Sequence, residues 1–321
     1  MPVIMNKLNS KERREFLKKS LATGVAVGGS LLWGSPEVLF AKVSASGAPD
    51  LVAVKNGEPD AMFNQAITMM GGMKKFVKKG QTVLVKPNIS YARKPEIGAT
   101  TNPLLVKSIV AHCFGAGAKK VYVFDNAAST SYGMAQKCYK KSGIEEAAKS
   151  AGALVAPGHD EKYYQKVTIP GAKSLVSTEV HELVLEADVF INVPILKNHH
   201  YTHQSIAMKN LMGVVWDRMK YHYSDLEQSI ADFCLLKTPD LNIVDAYRVM
   251  WRFGPQGSTP ENVALKKTLL ISKDIVAVDA AASKVYGMEP GKVRHIQLGH
   301  DLNIGNMNLN ELNIKRHVMG G

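Results

Sequence analysis

Cysteine is scarce in this 321-residue chain: Cys113, Cys138 and Cys234 are the full set, and none forms a Cys-x-x-Cys pair. An odd count of three allows one disulfide at most. The chain is therefore expected to be neither a disulfide scaffold nor the host of a cysteine-ligated iron–sulfur cluster. Aromatic residues make up only 7%, and no block of five or more Lys/Arg occurs. A nucleic-acid surface built from basic tracts and stacking rings is not expected, despite a net charge of +12. No apolar run reaches the roughly 18 residues that a membrane span needs. A P-loop, a Gly-x-Gly-x-x-Gly turn after a strand and a Gly-x-Ser-x-Gly elbow are all missing, which removes the named nucleotide and hydrolase signatures.

What is present is an ordinary globular composition, 45% hydrophobic and 21% charged, in a chain long enough for a sizeable core. Its first 45 residues read as an address. A charged head, Ser10 to Lys19, precedes a glycine-rich apolar run from Leu21 to Trp33, about 13 residues and too short to span a bilayer. Within the head, Arg13-Arg14-Glu15-Phe16-Leu17-Lys18 resembles the twin-arginine export signal, with Glu12 where Ser or Thr is usual. The resemblance implies recognition by the twin-arginine translocase, cleavage after Ala41 or Ala45, and a periplasmic mature protein with no stable membrane span. Removing residues 1–45 leaves 33 basic and 25 acidic residues, a net charge of +8, and an excess of that sign suits a small anionic ligand.

The remainder, 46–321, reads as one α/β domain: a mainly parallel sheet flanked by helices, with a small antiparallel excursion. Runs of Val, Ile and Leu at 51–55, 82–86, 120–124, 189–193, 241–245 and 265–272 predict buried strands. Asn102-Pro103 opens a helix that stops at Gly115-Ala116-Gly117, and the strand–helix–strand run over 82–124 predicts a right-handed βαβ unit. Further helices are expected at 60–70, 144–150, 204–212, 225–236, 274–286 and 293–298. The antiparallel excursion is expected from 165–169 and 180–184, on the sheet edge.

Chemistry gathers at the strand ends. The first long strand ends at Lys86 and Asn88, the next at Asp125 and Asn126. The strand over 189–193 carries Asn192 and leads into Lys197, Asn198, His199, His200 and His203; Lys209 and Asn210 follow. The strand from Leu241 ends at Asp245. In a parallel sheet these ends share one edge, where ligands of open α/β folds bind, although turns alone also favour Asn and Asp. Lys86, Lys197 and Lys209 suit a phosphate or carboxylate, and with Asp125 they are the candidate catalytic groups; Asn88, Asn192, Asn198, Asn210 and Asp245 are the candidate ligand-binding groups. His199, His200 and His203 leave two readings open: ligands of a divalent metal or metal-containing cofactor, with Asp125 nearby, or hydrogen-bond donors to an anion.

Lys86-Pro87-Asn88, Thr101-Asn102-Pro103, Lys197-Asn198-His199, Met208-Lys209-Asn210-Leu211-Met212-Gly213, Val244-Asp245 and Ser272-Lys273-Asp274 through Asp279 together resemble the DUF362 family, over roughly residues 50 to 310. The resemblance implies no particular activity. Many members carry a ferredoxin-like cluster module whose cysteines this chain lacks. The layout is also distantly similar to the lactate racemase family, whose site binds a nickel-containing nucleotide. The resulting expectation is an enzyme acting on a small anionic substrate, with or without a metal cofactor. The alternative is a non-catalytic periplasmic carrier for a metal or anion.

Overall fold

The computed structural model describes residues 47–127 and 132–320. The expected export signal and its cleavage sites lie outside the described residues, as does part of the polar turn after Asn126.

Alternation builds the central sheet. In β1 (Leu51–Lys55), β2 (Thr82–Pro87) and β7 (Val189–Val193), both odd and even positions are apolar, so both faces are buried. Val52, Val83, Val85 and Ile191 join one core with Leu105, Val106 and Ile109 of α2 (Pro103–Ala116) and with α1 (Pro59–Met69). Leu51, Leu84 and Phe190 join the other, with α8 (Leu226–Leu236), α9 (Ile275–Tyr286) and α10 (Arg294–Asp301). A sheet covered by helices on both sides is the usual setting for parallel strands.

Adding β3 (Lys120–Val123), β4 (Leu154–Val155), β10 (Leu241–Met250), β11 (Val263–Ser272) and β12 (Ile314–Val318), the order is β12-β1-β11-β10-β7-β2-β3-β4. β10, β7, β2, β3 and β4 run parallel; β11 lies antiparallel to both neighbours. β5 (Tyr164–Thr168) and β6 (Ser177–His181) pair antiparallel as a separate two-stranded sheet rather than on the edge of the main one.

Two expectations need correction. The segment 204–212 is not one helix. After Pro194 the chain resumes as β8 (Ile195–His199), turns back as β9 (His203–Ser205), and only then forms the short α6 (Ala207–Asn210). Cross-strand pairing of Lys197 with Ser205 and of Asn198 with Gln204 outweighs local helical spacing. The strand from Leu241 also does not end at Asp245. It runs on to Met250 through an irregularity between Ala246 and Arg248, held by β11 alongside.

Caps fix the helices expected from the sequence. Asn102 accepts a hydrogen bond from Leu104 N (3.0 Å), and Asp274 accepts from Val276 N and Ala277 N (both 2.8 Å). Gly117 and Gly287 close α2 and α9 in the left-handed conformation that glycine adopts without strain.

Candidate functional site: a cationic pocket at the carboxyl edge

Polar side chains line up across the sheet at a single register. Lys86 of β2 stands beside Asn192 of β7, and Asn192 beside Asn242 of β10. All three are buried on the face that carries Leu84 and Phe190. The chain from Ile206 to Val214 lies over this row. Asp279 of α9 seats it, accepting from Ala207 N (2.7 Å) and Met208 N (3.0 Å). Burial pushes the Asp279 carboxyl up to about 8, against the pull of those two hydrogen bonds.

The Lys86 ammonium pairs with Asp125 Oδ1 at 2.6 Å and donates to the Pro87 carbonyl at 2.9 Å. Asp125 Oδ2 accepts from Ile89 N at 2.6 Å. Burial lowers the Lys86 pKa, and Asp125 opposes that. Gly213 passes directly over the pair. A Cβ at this position would overlap Asp125 Oδ1 and stand 2.8 Å from Lys86 Nζ, so the close approach requires glycine.

Beside this pair opens a pocket of about 100 Å³, lined by Asn88, Tyr91, Asp125, Lys197, His199, Lys209, Asn210, Gly213, Arg218 and His222 among others. At about 30 Å³ per water molecule that is room for roughly three waters, the scale of a small ion or acid. Lys197 Nζ donates to Asn88 Oδ1 (3.1 Å) and the Ala99 carbonyl (2.6 Å), with the Tyr91 ring centroid 5.2 Å away. Burial brings its pKa down to about 7; Asp125 pulls upward, and Lys209 and Lys86 push further down. Lys209 falls to about 8, again chiefly through burial. Among the described residues, its ammonium hydrogen-bonds to the Met212 sulfur at 3.1 Å, a weak acceptor. Arg218 donates to the Asn126 and Ala127 carbonyls at 2.5 and 2.8 Å.

His199 Nδ1 accepts from Tyr201 N (3.2 Å) and Thr202 N (3.4 Å). The neutral ring therefore carries its proton on Nε2. Burial, and then Lys209, depress its pKa to about 2, so it enters the pocket as a neutral donor.

Five amide and ammonium groups are chained head to tail. Lys197 donates to Asn88, Asn88 Nδ2 to Asn210 Oδ1 (2.9 Å) and Asn210 Nδ2 to Asn192 Oδ1 (2.8 Å). Asn192 Nδ2 then donates to Asn242 Oδ1 (3.0 Å), and Asn242 Nδ2 to the Lys273 carbonyl (3.3 Å).

Seven of the residues singled out in the sequence thus come together: Lys86, Asn88, Asp125, Lys197, His199, Lys209 and Asn210. Asn192 stands behind them as a positioning residue. Asp245 does not reach the pocket. Strand parity sends it to the opposite face, with Ile243 and Tyr247, where it accepts from Asn102 N (2.8 Å) and Tyr247 N (3.0 Å); burial raises its pKa to about 6. Asn198 is spent on the neighbouring loop, with Gly254 N donating to its Oδ1 at 3.0 Å.

The three histidines do not form a cage. His199 faces the pocket, His200 stacks on it with Nδ1 toward the Gly254 carbonyl, and His203 is exposed. Among the described residues no three His, Cys, Asp or Glu side chains are grouped to hold a metal. The donor set also argues against a bare divalent ion, which would face Lys197, Lys209 and Arg218 with one carboxylate already paired. An anionic ligand fits that charge, including one that carries its own metal.

Sequence reasoning missed Arg218, Tyr91 and His222, which stand alone in their segments without a local signal. Gly213 had one: a glycine closing a run of otherwise bulky residues.

A family model described as a domain of unknown function, DUF362, matches residues 83–284. A thylakoid-associated protein from Synechocystis sp. is 25% identical over 241 residues, 73% of this chain and 71% of that relative. Two solved structures are similar at low identity. The lactate racemase apoprotein of Thermoanaerobacterium thermosaccharolyticum has 12% identity and a TM-score of 0.42, covering 68% of this chain and 53% of that one. A Thermotoga maritima protein has 11% identity and a TM-score of 0.45, covering 76% and 60%. The chain thus spans between about half and three fifths of these two structures.

Proposed function

From the premise that this chain belongs to the DUF362 family, we propose that its pocket is the active site of an enzyme acting on a small anionic substrate. The observation that carries the reading is the Lys209 ammonium: buried, hydrogen-bonded to a thioether, and set beside Lys197 and Arg218 in a small cavity. Buried charges are normally paired. The Glu227 carboxylate attracts Lys209 but hydrogen-bonds to His295, so a carboxylate or phosphate entering here supplies a direct partner, with His199 Nε2–H as a further donor.

Lys197 is the proton-transfer group in this reading. Its pKa of about 7 leaves it divided between amine and ammonium near neutral pH, the poise that suits a general base or acid. Asn88 and the Ala99 carbonyl orient it. Asp125 stays with Lys86 and shapes the pocket wall. The family offers no activity to borrow, so the substrate is defined here by charge and size alone. The twin-arginine-like segment supports export to the periplasm as part of the same proposal.

The test is calorimetric titration with inorganic phosphate and with oxalate at pH 6.5, on the wild type and on Lys209→Met and Lys197→Met, with mass spectrometry of any small molecule that co-purifies. Saturable binding that falls at least tenfold in Lys209→Met supports the anion site; equal affinity in all three proteins overturns it. A co-purified anion turned over by the wild type and retained unchanged by Lys197→Met assigns the proton transfer. Retention unchanged by the wild type as well favours the carrier alternative.

A further inference from the structure

The rim of this pocket is built for more than a dissolved ion. Tyr201, Tyr223 and Phe253 are 68%, 79% and 71% exposed, and Trp251 is 46% exposed. Isolated exposed aromatics are ordinary, but these are not isolated. Tyr201 lies two residues from His199, Tyr223 one residue from His222, and Phe253 two residues from Pro255, and all three of those neighbours line the pocket. Side-chain contacts bring the loops together. The His200 ring packs on Tyr201 at 4.1 Å and turns Nδ1 to the Gly254 carbonyl at 3.3 Å. Tyr201 lies 6.2 Å from the His222 ring. Tyr286 anchors the Trp251 carbonyl at 2.8 Å.

Cationic groups accompany the rings. The Arg252 guanidinium sits 4.2 Å over Trp251 and 5.5 Å from Phe253, and Arg93 ties to the Gly257 carbonyl at 3.1 Å. Carboxylates also flank the rim: Asp217, whose Oδ1 accepts from Met219 N at 2.9 Å, Asp225, paired with Arg294, and Glu261, next to the Asn262 that accepts from Arg252.

We propose that this aromatic rim docks the protein on an anionic lipid bilayer, with the pocket mouth facing the headgroups. Tyr, Trp and Phe with adjacent Arg are the side chains that settle at the headgroup level of a membrane. The cationic pocket in their midst complements a lipid phosphate, and the net charge, +12 for the full chain and +8 without residues 1–45, favours an anionic surface. Attachment of this kind is peripheral: among the described residues no helix is long and apolar enough to cross a membrane. The headgroup component of the proposal rests on the anion-pocket reading above.

The experiment is flotation of the full chain with vesicles of phosphatidylglycerol and phosphatidylcholine, or of phosphatidylcholine alone. The wild type is compared with Tyr201→Ser/Tyr223→Ser/Phe253→Ser, so residues 1–45 are common to every sample. The wild type is expected to float with the anionic vesicles at least tenfold better than with the neutral ones. The triple variant should lose that binding while keeping its urea midpoint and its affinity for inorganic phosphate. Equal flotation of wild type and triple variant overturns the proposal, as does wild-type binding indifferent to lipid charge. Phosphate affinity unaffected by Lys209→Met overturns the pocket reading instead, and leaves the rim result to stand alone.

Discussion

Substituting Gly213 by alanine is a small change with a large expected cost. The added methyl would collide with Asp125 Oδ1 and lie 2.8 Å from Lys86 Nζ and 3.0 Å from Lys86 Cε. Neither partner has room to yield. Asp125 is held by Lys86 and by Ile89 N, and Lys86 is fully buried with its ammonium also on the Pro87 carbonyl. Overpacking alone costs about 1–3 kcal/mol, and separating a buried ion pair costs about 3–5 kcal/mol. The expected loss therefore lies between about 1 kcal/mol, if the clash is absorbed by small shifts, and about 5 kcal/mol, if the pair is separated. Gly115 supplies the control. It is an exposed position of α2, and a Cβ added there would meet nothing within 4 Å, so Gly115→Ala should stabilise by about 0.5–1 kcal/mol through helix propensity. Urea unfolding followed by circular dichroism measures both, with slopes compared to confirm the same transition. A Gly213→Ala loss below about 1 kcal/mol would refute the tight approach of this glycine to the ion pair.

Further perturbations probe the same site from other directions. Asp125→Asn leaves the Lys86 ammonium buried without its counter-charge and should cost about 3–5 kcal/mol in urea unfolding; adding Lys86→Met should recover part of that. Anion affinity should fall as pH rises from 6 to 9, because Lys197 and Lys209 lose their protons near 7 and 8; flat affinity by calorimetry would count against both lysines as anion partners. Stability responds with the opposite sign. The folded pKa of Lys197 lies below its ordinary 10.5, so the unfolded chain binds more protons between about 7 and 10.5. The penalty, up to roughly 5 kcal/mol, is full below 7 and fades as pH rises. The stability advantage of Lys197→Met over wild type should accordingly shrink from pH 6 to pH 10. Asp245→Asn should cost about 1–3 kcal/mol, because one of two backbone N–H groups loses its acceptor, yet leave phosphate affinity unchanged.

Much of this was legible in the chain. Apolar runs such as Val83–Val85 and Val189–Ile191 announce strands buried on both faces, and once these are parallel, Lys86, Asp125 and Lys197 must converge. Orientation and parity were less legible. β11 carries the same kind of apolar run as the parallel strands of the sheet, so nothing local marks its reversal against β1 and β10. Asp245 follows the pattern of a strand-end acid, but the long pairing with β11 carries the strand past it, and the two-residue period turns it to the far face. The hairpin over 195–205 hid because its pairing partners, β10 and its own return strand, are not encoded in local spacing.

The chained asparagines carry a last consequence. An amide is a dipole with one donor end and one acceptor end, and every amide from Asn88 to Asn242 points its oxygen back toward Lys197. Turning one around would set oxygen against oxygen at one junction and nitrogen against nitrogen at the next, so the row holds a single sense or none. In that sense its dipoles add, and they favour the ammonium form of Lys197 against the burial that drives it toward the amine. A substitution as remote as Asn242→Leu, four hydrogen bonds along the row, would then register as a change in the proton affinity of Lys197.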